Sequence, residues 1–291
     1  MDRGIATQCL LAAALLGGTV WLEAVRPLGE GLEIRVEPPA PLDGQTVRVE
    51  AAARDGAFCE FNGHRFPFYP IGGGRSRALV PVPFWLGPGD RPMVALDPGP
   101  VGSRGVRSGF SLLEVRPREL PLRRISIPRA KFKLFKDPRV PEARRRFLEA
   151  LQTRTPEHGW SGRFAVPVDG RVSSPFGSPR QLGGGRRYVH KGLDVAAPLG
   201  TPVRAPNAGV VLLASEFPLQ SRMVVIDHGH GVISIVQHLL EVKTRAGDRV
   251  EKGALVGRVG SEGISTGAHV HCGMYVHGEP VDPEEWTLRD F

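Results

Sequence analysis

Five residues in the C-terminal half have types and spacings suited to chemistry on a bound metal ion. They are His190 and Asp194 in Val-His-Lys-Gly-Leu-Asp, His238 in Val-Gln-His-Leu-Leu, and His269 with His271 in Gly-Ala-His-Val-His. Imidazole nitrogen and carboxylate oxygen are donors that zinc accepts, and three protein donors leave one tetrahedral corner for water, the mark of a catalytic rather than a structural site. Side chains two or four apart on an extended strand share a face. His269 and His271 therefore point one way, with Val270 and Cys272 turned to the other. If Lys191 to Asp194 is also extended, His190 and Asp194 share a face, and two such strands side by side gather imidazoles and a carboxylate around one point. A single histidine carries little weight; His-x-x-x-Asp, a further histidine and His-x-His in that order are fairly specific. Three ligands leave two imidazoles to work on a bound water, so the pattern points to a metal-dependent hydrolase.

The elements that must carry these residues read as strands. Gly209–Leu213, Met223–Ile226 and Val232–Val236 are short apolar runs joined by turn signals such as Asp227-His228-Gly229-His230-Gly231, with another reversal across Gly247–Gly253. An open or barrel-like antiparallel sheet follows. Upstream, Val47–Ala51, Phe58–Phe61, Ala78–Val82 and Ser111–Val115 alternate with reversals, and Asn62-Gly63 suits a two-residue hairpin in which both residues need positive φ. This stretch reads as an immunoglobulin-like β-sandwich. With 291 residues, 37 glycines and 27 prolines, the chain is expected to be mainly β and to hold about two domains. The expected division is a β-sandwich over 31–117, a basic connector over 118–163 and an antiparallel, barrel-like domain over 164–291. Within the connector, Phe147, Leu148 and Leu151 stand at helical spacing behind Pro141-Glu142, which predicts one short helix.

Charge is concentrated in the connector. Arg116 to Arg146 holds twelve basic residues against three acids, an excess of nine, which covers the whole net charge of +8. Such a stretch is either a solvated linker or one drawn to a polyanion, an anionic envelope surface among them. No helix-turn-helix, zinc-finger or RNA-binding signature accompanies it, so a specific nucleic-acid partner is not expected. The uncharged run Ile5 to Leu22 has a length between a signal-peptide core and a membrane span. Residues 1–24 are accordingly expected to be a signal peptide or an N-terminal membrane anchor, which makes the protein exported, to the periplasm or cell envelope. Cys59 and Cys272, one in each expected domain, are expected to be buried as small apolar groups rather than paired.

Residues 164 to 286 resemble the lysostaphin and LytM type of zinc endopeptidase. The motifs that carry the resemblance are Ser174-Pro175-Phe176-Gly177, His190-Lys191-Gly192-Leu193-Asp194, Gly200-Thr201-Pro202-Val203, Val225-Ile226-Asp227-His228-Gly229, His238-Leu239, Gly247-Asp248 and Ser265 to His271. The resemblance implies that His190, Asp194 and His271 bind one zinc ion per chain. It implies further that His238 and His269 bracket the attacking water and the developing oxyanion, either of them serving as general base, and that the substrate is peptidoglycan peptide. Gly183–Gly185 and Gly260–Gly267 would wall a groove for an extended peptide. Ala268, Glu262 and Val236 depart from the family pattern at positions often held by proline, threonine and tyrosine; none removes a ligand, so they bear on substrate preference.

Rival readings are a non-catalytic wall-binding regulator or activator of another hydrolase, a lipoyl-type carrier, and a basic polyanion-binding module. The complete ligand set argues against the first, and Lys252 in Glu-Lys-Gly lacks the displayed hairpin setting that a carrier needs. Only the connector favours the third. His228 and His230 are expected to be structural, and His64, His158 and His277 carry no partner pattern.

Overall fold

The computed structural model describes residues 31–99, 105–183 and 185–291. The segment 1–24, expected to be a leader, and Gly184 lie outside the described residues. The front part comprises β1 (Ile34–Glu37), β2 (Thr46–Ala51), β3 (Phe58–Phe61), β4 (His64–Pro67), β5 (Tyr69–Gly72), β6 (Arg75–Pro81), β7 (Gly89–Asp97) and β8 (Arg107–Val115). These form two four-stranded sheets in the orders β1-β2-β6-β5 and β4-β3-β7-β8. Val47, Val49, Cys59, Phe61, Val80, Met93 and Leu113 fill the space between them. β2, β3, β6, β7 and β8 supply inward residues at every second position, the alternation expected of packed sheets. The predicted hairpin forms: Phe61 pairs with His64 across Asn62 and Gly63, whose φ values are 50° and 76°.

The connector is not a free linker. It contains β9 (Arg123–Ile125), a 3-10 helix (Arg129–Lys136) and α1 (Val140–Leu151). The predicted helix begins one residue before its proline, and Leu151 and Phe147 pack on Phe217 and Tyr275. Leu148, expected on the same apolar face, instead points to solvent. It falls one residue past the stripe that Phe147 and Leu151 define at i, i+4.

Behind it lie β10 (Arg171–Ser174), β11 (Pro179–Leu182), β12 (Arg187–Val189), β13 (Leu193–Ala196), β14 (Pro202–Arg204), β15 (Gly209–Phe217), β16 (Ser221–Gly229), β17 (Val232–Val242), β18 (Arg249–Val250), β19 (Leu255–Val259), β20 (His269–Val276) and β21 (Glu279–Val281), closed by α2 (Pro283–Leu288). Ten of these strands form one antiparallel sheet around the path β10-β13-β20-β17-β16-β15-β18, with β14, β19 and β21 attached to it. A three-stranded sheet, β12-β11-β9, has its β9–β11 pair parallel. The protein is thus mainly β, as expected. Val195, Val203, Val224, Val236, Leu239, Val256 and Cys272 make the core of the large sheet, so Cys272 and Cys59 are unpaired and buried in separate cores. Among the described residues no helix is long and apolar enough to cross a membrane.

The sandwich docks on the rear sheet through specific contacts. Leu79 of β6 enters a cluster with Trp160, Phe164, Met274 and Trp286. The Thr46 N–H donates to Glu285 at 2.9 Å, and the Asp282 N–H donates to the Gly44 carbonyl at 2.8 Å. Gly44, at φ 79°, presses so closely on Phe176 that a Cβ there would lie 2.2 Å from the ring.

Candidate metal centre

Strand register brings the predicted site residues together. Asp194 on β13 stands directly opposite His271 on β20, and Ala196 opposite His269. Gln237 of β17 pairs with His271 from the other side. His190 reaches the same point by a different route from the one expected. The chain is not extended from Lys191 to Asp194: it leaves β12 at Val189, bends at Gly192 and enters β13 at Leu193. That bend replaces strand alternation as the reason His190 and Asp194 face each other. Gly192 permits it by close approach, because a Cβ there would sit 2.4 Å from the Cys272 carbonyl oxygen and 2.7 Å from His271 Nε2.

The three donor atoms form a tight triangle. His190 Nε2 lies 3.0 Å from Asp194 Oδ1 and 3.0 Å from His271 Nδ1, and His271 Nδ1 lies 2.9 Å from Asp194 Oδ1. Donors about 2.0–2.1 Å from a tetrahedral ion stand about 3.3 Å apart, so the triangle is of the right size. Its donor set suits a cation. His190 Nδ1 lies 3.0 Å from the Pro175 carbonyl, which can only accept, so that nitrogen holds the ring proton. Burial pushes the His190 pKa down to about 4, so the ring is neutral and Nε2 turns a lone pair on the Asp194 oxygen. A proton on His271 could satisfy its own edges of the triangle; the His190–Asp194 edge would still oppose lone pairs. A divalent cation at the centre satisfies all three.

Arg180, which the sequence did not single out, holds the other end of the carboxylate. Its Nη2 donates to Asp194 Oδ2 at 2.5 Å and to Ser174 Oγ at 2.8 Å. Nothing in the sequence could have picked it from 38 basic residues, because its role depends on the β11 strand lying across β10 and β13.

The remaining two histidines flank the triangle. His269 Nε2 lies 3.8 Å from Asp194 Oδ1, while its Nδ1 donates to the Gly267 carbonyl at 2.9 Å. His238 is buried, its ring centroid 4.9 Å from that of His269, and its Nδ1 donates to the Glu262 carbonyl at 2.9 Å. In both rings the proton sits on Nδ1 and Nε2 is free to accept another. Burial first, then the neighbouring His269 and His271, push the His238 pKa down to about 3 and keep the ring neutral. His238 also has φ 64°, in the left-handed region, where β17 bulges between its pairings with β16. A bulge re-aims a side chain out of the strand's alternation, which here turns His238 toward the site.

The site opens into a cavity of about 710 Å³. Gly267 lines it as expected. Gly260 does not: it packs on the backbone of His238 to Leu240, and Gly183 lies beside Phe132 of the connector. His228 is structural, as expected; its Nδ1 donates to the Ala208 carbonyl at 2.6 Å and its Nε2 accepts from Ser234. His230 stacks on Tyr69 at 4.1 Å and on His158 at 5.1 Å, at the junction with the front sandwich.

Comparison with known proteins agrees with this geometry. Residues 188–283 match the model of Peptidase family M23. The chain is 36% identical over 122 residues to the peptidoglycan DD-endopeptidase ShyA of Vibrio cholerae, covering 41% of this chain and 28% of that one. It is 39% identical over 118 residues to the DD-carboxypeptidase/endopeptidase Mpg of Neisseria meningitidis, covering 40% and 27%. A solved Pseudomonas aeruginosa structure, described as a candidate peptidase M23, superposes with a TM-score of 0.64 at 26% identity over 85% of this chain and 95% of that chain. The chain therefore carries a Peptidase family M23 domain. It spans little more than a quarter of the length of the two curated relatives, whereas the likeness to the Pseudomonas structure extends over both sandwich and peptidase domain.

Proposed function

We propose that the protein is a zinc-dependent endopeptidase that hydrolyses peptide cross-links of bacterial peptidoglycan. The observation that carries the reading is the triangle of His190, Asp194 and His271, whose protonation leaves a buried cation-shaped need beside two free imidazole nitrogens. Zinc bound by these three residues would supply Lewis-acid polarisation of a carbonyl and a water that ionises near neutral pH. Arg180 fixes the Asp194 carboxylate, and Pro175 fixes the His190 ring, so neither ligand must reorganise. Of His238 and His269, one accepts the proton of the attacking water at Nε2. The other, once it has taken up a second proton at Nε2, would donate to the carbonyl oxygen as it gains charge. Both rings are locked by backbone carbonyls, so this arrangement is formed before substrate arrives. The name of the Vibrio cholerae relative, a peptidoglycan DD-endopeptidase, supports peptidoglycan as the substrate. The uncharged run Ile5 to Leu22, read as an export signal or anchor, fits a substrate outside the cytoplasm.

The test is digestion of purified peptidoglycan with zinc-loaded protein, followed by mass analysis of the fragments. Release of cross-link fragments by wild type, abolished by chelator and by His271→Ala, is the expected result. Equal release by His271→Ala would reject the assignment.

A further inference from the structure

The basic connector docks across the groove rather than trailing from it. β9 adds in parallel to β11, placing Arg123 opposite Arg180. From the 3-10 helix, Lys131 Nζ donates to the carbonyls of Ser261 and Ser265, in the loop that leads to His269, at 2.9 Å each. Ile125, Ile127 and Phe135 of the same segment line the cavity. The groove thus has one wall contributed by residues outside the stretch that matches the family model.

The charge of this cavity is one-sided. Its lining includes Arg123, Arg186 and Lys191, and the only carboxylate in the lining is Asp194, already engaged by Arg180 and two histidines. The three exposed cations pair with no carboxylate among the described residues. They are held instead by neutral groups: Arg123 donates to the Ser173 carbonyl at 2.7 Å, Arg186 lies 6.0 Å from the Phe135 ring, and Lys191 lies 5.8 Å from the Phe84 ring. Like charges around one concavity repel each other and focus a field that draws anions. A ligand with negative groups relieves that repulsion, and small apolar side chains would fill the space beside Ile125, Ile127 and Phe135.

We propose that the groove recognises free carboxylates on its peptide substrate through Arg123, Arg186 and Lys191, which makes the connector part of the specificity site. The inference rests on the reading of the groove as a peptide site, but its test does not depend on turnover. Calorimetry on the full chain would compare two short stem peptides of one sequence that lack the cleavable cross-link, one with free carboxylates and one with those groups amidated. The free form is expected to bind about tenfold more tightly at low salt, with the preference shrinking as ionic strength rises. Replacing all three residues by Gln should bring the ratio of the two affinities close to one, the Arg123→Lys, Arg186→Lys pair should keep most of it, and Arg144→Gln, on the far helix, should leave it intact. Equal affinities in wild type, no binding of either peptide, or a preference that survives the triple substitution would overturn the proposal. Failure of peptidoglycan digestion alongside a carboxylate preference would reject only the peptidase reading.

Discussion

At the scale of single residues, the five candidates were legible from their types and order, and the choice of His190, Asp194 and His271 as the donors came from the family resemblance, whereas Arg180 was not legible at all. Its two contacts, to Asp194 and Ser174, arise from strand packing. Without it, the Asp194 carboxylate could rotate away from a bound ion. Arg180→Met is expected to weaken zinc about 10–100-fold, as outer-shell losses do elsewhere, measured by competition with a chromophoric chelator. An affinity equal to wild type would show that Asp194 needs no such brace. His238→Ala and His269→Ala remove no ligand. Each should retain one zinc while losing about 10²–10⁴ in kcat on a cross-linked peptide; loss of zinc from either would mean that the ring coordinates the ion.

At the scale of elements, the sequence showed strands and reversals but not the two irregularities on which the site turns. Period-two alternation accounted for His269 and His271. It could not foresee the bend at Gly192 or the bulge at His238, because both depend on which strands lie alongside. The solvated-linker alternative for the connector failed for the same reason: nothing local announces that Arg123–Ile125 will pair with β11. Gly192 offers a direct check. Adding one methyl group drives it into the Cys272 carbonyl and the His271 ring, so Gly192→Ala should cost zinc affinity by at least about tenfold and stability by about 1–3 kcal/mol, the usual range for overpacking. Chemical denaturation with and without chelator separates the two effects, and an unaltered protein would remove the packing argument.

At the scale of the molecule, the front segment was legible as a β-sandwich, but its docking was not, since the contacts join residues about 80 to 240 positions apart. Glu285 accepts the buried Thr46 N–H across that junction, so Glu285→Ala should destabilise the protein by about 1–3 kcal/mol through an unmet donor, read from the urea midpoint. The junction histidines add a pH dependence. Burial pushes His230 down to about 4 and His277, which packs against Phe66 and Tyr69 of the sandwich, to about 3, against an ordinary value near 6.5. The unfolded chain therefore takes up these protons first, and stability falls as pH drops from about 6.5 toward 4. Glu285, held up to about 7 by burial, acts in the opposite sense and gives up stability as pH rises through that value. His230→Asn should flatten the acid limb in a series of urea midpoints; an unchanged slope would mean that His230 titrates freely in the folded state.

The central claim is that one zinc ion sits among His190, Asp194 and His271, and zinc K-edge absorption on the purified full-length protein tests it most directly. One zinc per chain, with only nitrogen and oxygen neighbours at about 2.0–2.2 Å, and loss of that signal in His271→Ala, is the predicted result. A sulfur neighbour near 2.3 Å, which would draw in Cys272, or an intact site in His271→Ala would contradict it.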